Sequence, residues 1–107
     1  MLKPHYRDLV DLPGIAAHEK YVRRYLETEL KKVSETIVKD KLGSVFGVIN
    51  QHKKGPKVMI AGHMDEVGAM VVGITDKGLI KMIPVGSISA PIMLSQYLNV
   101  VLDDGSF

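Results

Sequence analysis

The chain has 107 residues, room for one domain at most, so a large multidomain assembly within it is excluded. Fourteen Lys and Arg stand against 12 Asp and Glu, a formal charge of +2, too even a balance for a dedicated binder of a nucleic-acid backbone. Hydrophobic residues at 46% and charged residues at 24% exclude a disordered chain, and the lack of cysteine excludes disulfide scaffolds and thiolate metal sites.

The first half reads as two helices followed by strands. Leu2, Tyr6, Leu9 and Val10 fall on one helical face. Pro4 suits a first turn and Pro13-Gly14 stops the helix. A second helix is expected from about His18 to Val33, with Val22, Leu26, Leu30 and Val33 as its apolar stripe. Glu19 with Arg23 and Glu27 with Lys31 are i,i+4 pairs on its solvated side. Thr36-Ile37-Val38 is a short strand, Asp40-Lys41-Leu42-Gly43 a turn, and residues 45–49 a second strand. The polar stretch 51–56 is a loop. Lys57-Val58-Met59-Ile60-Ala61-Gly62 is apolar on both faces, which predicts a strand buried in a sheet covered by helices.

The second half reads as all-β. Residues 69–74 and 79–83 flank Thr75-Asp76-Lys77-Gly78, a hairpin signal. Residues 84–91 are expected to form a loop and 97–102 a strand. Asp103-Asp104-Gly105 then announces a turn, with Ser106 and Phe107 opening a returning strand. A hairpin lacking its second strand has unpaired edge groups, so the 107 residues are expected to be a piece of a longer chain. Residues 1–60 carry 12 basic and 7 acidic side chains, whereas residues 61–107 carry 2 and 5. That change marks either a domain boundary or a passage from surface helices to buried strands. No apolar run approaches the roughly 18 residues of a membrane span, and residues 1–6 have no signal-like core. The expectation is a cytoplasmic chain with no membrane and no nucleic-acid partner.

Chemistry concentrates in Gly62-His63-Met64-Asp65-Glu66-Val67-Gly68, at the end of the expected buried strand, where open α/β sheets place ligands. Extended backbone points His63 and Asp65 to one face. An imidazole there can ligate a divalent metal while the carboxylate fixes its tautomer or orders solvent. Glu66 points the other way, and Gly62 and Gly68 permit sharp turns. A lone histidine at a strand end is more often a hydrogen-bonded structural group, and a zinc site needs at least two further ligands. His5, His18 and His52 sit at helix starts or in a polar loop and supply none. The methionines read as fillers of a core.

Leu12-Pro13-Gly14, Asp40-Lys41-Leu42-Gly43-Ser44 and above all Ala61-Gly62-His63-Met64-Asp65-Glu66-Val67-Gly68 resemble the co-catalytic dinuclear metallo-aminopeptidases. These are the glutamyl, deblocking and tetrahedral aminopeptidases, some of them labelled endoglucanases. The stretch from Ile74 to Pro84-Val85-Gly86 continues the likeness, which spans nearly the whole chain and about the first third of a family member. The resemblance implies an α/β fold. The start of a helix-flanked mixed sheet, residues 1–67 of a catalytic domain, runs into residues 68–107 of an inserted, β-rich oligomerisation domain.

By the same likeness His63 matches a metal ligand. Asp65 matches the neighbouring carboxylate of the catalytic site, which orients it. Two divalent ions, zinc or cobalt, a peptide substrate and a homo-oligomer are implied for the whole protein. The remaining ligands and the general base have no counterpart here, so this segment is expected to be inactive and to bind metal weakly or not at all. Two other readings are a non-catalytic assembly module pairing through an edge near residues 97–102, and the glucanase. The glucanase is disfavoured because glycosidases work with paired carboxylates. Gly14-Ile15-Ala16-Ala17 departs from relatives that carry a capping Ser or Thr ahead of the second helix.

Overall fold

The computed structural model describes residues 2–107, with side chains from Pro4 onward. It is a small mixed α/β structure with two separate two-stranded antiparallel sheets. The chain divides into two compact units.

The first unit comprises residues 1–14 and 19–64. Helix α1 spans Leu2–Val10 and α2 spans Lys20–Lys31. Strands β1 (Thr36–Lys39) and β2 (Val45–Val48) pair antiparallel, Thr36 opposite Val48 and Lys39 opposite Val45. Helix α2 packs on both strands. Val22 is its buried residue, and Leu26 and Leu30 are half-buried beside it, as the stripe predicts. Val33 lies beyond the end of α2 and is 63% exposed, because the helix stops at Lys31.

Glu27 ties α2 to the sheet. Its carboxylate accepts from Lys31 at 3.0 Å and from Lys39 of β1 at 2.7 Å. Those bonds from Lys39 and Lys31 hold its pKa below the ordinary value. Polar groups join helix α1 to α2, and the side chain of Leu2, expected on the apolar face, lies outside the described residues. Tyr25 donates to Asp8 Oδ2 at 3.0 Å and lies 2.8 Å from His5 Nδ1. Tyr6 and Val10 are exposed, and Leu9 is half-buried.

Local chemistry closes the β1–β2 turn. Asp40 Oδ1 accepts from the backbone N–H of Leu42 at 3.0 Å and of Ser44 at 2.8 Å. Gly43 takes φ +98°, a conformation open to glycine at little cost. After β2, the Glu35 carboxylate accepts from the N–H of Asn50 and of Gln51 and pins the start of the polar loop.

The expected strand over residues 57–62 is not formed. These residues join no ladder, and Val58, Met59 and Ile60 are 83%, 77% and 96% exposed. An apolar run becomes a strand only beside another strand, and among the described residues no strand pairs with it. Of the expected helix-flanked mixed sheet, the described residues form the antiparallel β1–β2 pair packed on α2.

The second unit comprises residues 15–18 and 65–107. Its centre is the ribbon of β3 (Gly68–Ile74) and β4 (Ile80–Val85), with Gly68 opposite Val85 and Ile74 opposite Ile80. The register shifts between Val71 and Gly73, so Val72 is an extra residue on β3. The expected hairpin is present. Thr75 Oγ1 accepts from the N–H of Leu79 at 2.9 Å, and Gly78 turns at φ +78°. A parallel bridge joins Ile15 to Glu66.

Two expectations fail in this unit. Residues 84–91 are not one loop: Pro84 lies in β4 opposite Ala69, and Ala90–Met93 is a short helix, α3. A two-stranded ribbon tolerates the proline because each strand has an unpaired edge. Residues 97–102 form no strand, and Tyr97 is fully exposed, for want of a neighbour to pair with. The turn that follows does form. Asp104 Oδ1 accepts from the Ser106 N–H at 2.9 Å, and the Leu102 N–H donates to the Ser106 carbonyl.

Candidate functional site

The stretch 61–68 begins as irregular backbone and ends in β3. Ala61, Gly62 and His63 are exposed, and Met64 and Asp65 are half-buried. The alternation expected to aim His63 and Asp65 at one face presumes a strand, and residues 61–65 are not in one. Glu66 holds the isolated bridge to Ile15, and Gly68 opens β3.

In the first unit, a glycine lies against the residue that follows His63. Gly14 is buried. A Cβ built on it would lie 2.9 Å from Val22 Cγ2 and 3.6 Å from the Met64 carbonyl oxygen. The Leu12-Pro13-Gly14 turn therefore seats against both α2 and the residue that follows His63. Gly14 serves here by its lack of volume. Read as a helix stop in the sequence, it is also a spacer, and nothing in the local pattern signals that second use.

In the second unit, a Cβ on Gly68 would collide with Ile15 Cγ2 at 2.5 Å. Gly86, at φ +81°, would meet Val67 Cγ1 at 3.1 Å. Glycines at 68 and 86 thus let the foot of the β3–β4 ribbon close around Val67 and Ile15.

An imidazole such as that of His63 is a suitable donor for a divalent cation, and Asp65 and Glu66 offer suitable oxygens. Among the described residues, however, no group of three His, Asp or Glu side chains converges in a way that could hold a metal ion. A metal centre needs three or four donors around one point, so these residues alone do not fit one. No helix among the described residues is long and apolar enough to cross a membrane.

Comparison with known proteins gives the context of this stretch. Residues 43–107 match peptidase family M42, described as M42 glutamyl aminopeptidase. The chain is similar to a lysyl aminopeptidase of Pyrococcus furiosus, 32% identical over 102 residues that cover 92% of this chain and 28% of that protein. It is also similar to a glutamyl aminopeptidase of Lactococcus lactis, 32% identical over 79 residues, 73% of this chain and 22% of that one. The chain spans about a quarter of the length of these relatives. The family match takes in β2, the Gly62–Gly68 motif and the β3–β4 ribbon, more than half of the residues, and on that ground the chain belongs to the M42 family of peptidases.

Proposed function

We propose that this chain is the N-terminal portion of a metal-dependent aminopeptidase, which removes N-terminal residues from peptides in the cytoplasm. The observation that carries the reading is the family match across residues 43–107, which includes His63 and Asp65. Relatives named lysyl and glutamyl aminopeptidase support it. In this reading His63 is a metal ligand of a two-ion centre, zinc or cobalt. Asp65 is the carboxylate beside it, which orients the site. Residues 1–67 begin the catalytic domain, and residues 68–107 begin an inserted domain through which copies assemble. A division of the chain after Met64, with residues 15–18 falling in the second unit, lies close to that boundary.

No hydrolytic step is assigned to these residues on their own, because their donors do not converge. The 107-residue chain should show no turnover of an aminoacyl-anilide and only weak retention of zinc. A polypeptide carrying this segment and the rest of the family's length should turn the substrate over. Replacing His63 with alanine there should cut both metal content and turnover by at least about tenfold, as loss of one ligand does. Unchanged metal content and turnover in that variant would overturn the reading.

A further inference from the structure

The first unit carries a cationic cavity apart from the His63 stretch. It has a volume of about 300 Å³, is open to solvent, and is lined by Arg23, Lys39, Asp40, Lys41, Gly43 and Ser44. Arg23 comes from α2, and the other residues from the end of β1 and the turn after it. The volume lies at the small end of ligand pockets.

The charges lining it are unequally engaged. Lys39 is held by Glu27 at 2.7 Å. Asp40 turns Oδ1 to the N–H groups of Leu42 and Ser44 and is the one carboxylate in the lining, set against three cationic side chains. Lys41 makes no ion pair among the described residues. Arg23 is half-buried, and the bond it makes to the turn is long: Nη1 donates to the Gly43 carbonyl at 3.4 Å. That acceptor is neutral, and among the described residues no carboxylate lies within ion-pair distance of the guanidinium. A half-buried guanidinium has five N–H donors and a full charge, and a single long bond to a neutral oxygen leaves it under-satisfied. Gly43 is what lets it sit there, since a Cβ at that position would lie 2.7 Å from Nη1.

We propose that this cavity binds a small oxyanion, gripped by the Arg23 fork and neutralised by Lys41. A planar guanidinium takes two oxygens of one phosphate or carboxylate at once, and a flexible ammonium adds charge without fixing geometry. The alternative is that Arg23 only braces the turn, in which case an added anion finds no site.

The test is titration of the 107-residue chain with inorganic phosphate at constant ionic strength, followed by amide and guanidinium NMR shifts. The expected result is a saturable shift at Arg23 Nε and at the amides of Leu42, Gly43 and Ser44. Lys41 is exposed and makes no ion pair among the described residues, so Lys41→Gln should leave the fold intact and weaken the apparent affinity by about fivefold, the effect of one surface charge. Arg23→Lys should abolish saturation. A parallel titration with acetate separates the sources: tighter phosphate assigns a phosphate-bearing ligand, and tighter acetate assigns a carboxylate such as a peptide C-terminus. Absence of a saturable shift overturns the proposal. So does a response unchanged by Lys41→Gln, or one that chloride reproduces.

Discussion

Gly14 rests against Val22 so closely that one added carbon would sit 2.9 Å from Val22 Cγ2. Val22 is the buried apolar residue of α2 and cannot move aside freely, since a β-branched side chain in a helix has essentially one rotamer. Gly14→Ala should therefore destabilise the chain by about 1–3 kcal/mol, the range for overpacking. Val22→Ala removes the methyl that would be struck. The double variant should be less destabilised than the two single losses combined, by at least about 0.5 kcal/mol. Urea unfolding of the four proteins measures this, and strict additivity would refute the packing argument.

Ser34 offers the opposite case. Its hydroxyl is buried, has no hydrogen-bond partner among the described residues, and is directed at Gly47 of β2. An unsatisfied buried hydroxyl costs roughly 1–3 kcal/mol of desolvation. Ser34→Ala should leave stability unchanged or raise it by about 1 kcal/mol. A clear loss in thermal midpoint would mean that the hydroxyl has a partner after all.

Two exposed glycines separate backbone strain from crowding. Neither Gly62 nor Gly78 has an atom within 4 Å of a built Cβ, but Gly78 turns at φ +78°. Gly78→Ala should cost about 1–2 kcal/mol from left-handed strain alone. Gly62→Ala should stay within about 0.5 kcal/mol of the parent. Chemical denaturation of both variants, run side by side, decides it; equal losses would count against the assigned turn.

Acid should act on the β1–β2 turn through Asp40. Hydrogen bonds from Ser44, and from the backbone N–H groups around it, hold this carboxyl below its ordinary 3.8. A carboxyl whose pKa is lower folded than unfolded adds stability above the unfolded value and loses it as pH falls through the folded one. Stability should therefore drop as pH falls below the ordinary carboxyl range, about pH 4, and Asp40→Asn should flatten part of that slope. Denaturation midpoints across this window test it. Identical slopes would show that the turn does not hold the charge.

These turns are also what the sequence made legible. Asp40 to Gly43 and Thr75 to Gly78 close through side chains and glycines a few residues apart, so the information is local. The stop after α1 and the stripe of Val22, Leu26 and Leu30 are local in the same sense. Residues 57–62 are not: Val58 and Ile60 have strand composition, but pairing depends on a neighbour supplied from elsewhere. The helix Ala90–Met93 went unread although Ser89 ahead of it and Pro91 in its first turn are a helix-start signal. For the site, the Gly62–Gly68 motif was plain in the residues. Its link to Gly14 through the Met64 carbonyl was not, because that approach is made across the fold.

The bridge between Ile15 and Glu66 sets an order of assembly. The two residues are about fifty positions apart along the chain, so joining them requires closing a long loop, whose entropy must be lost before any contact repays it. The β3–β4 hairpin beside it closes over the five residues 75–79, and such hairpins form in microseconds. The ribbon is thus available as a template on which the distant Ile15 segment docks afterwards, and slow protection of the amides around that segment would be its kinetic signature.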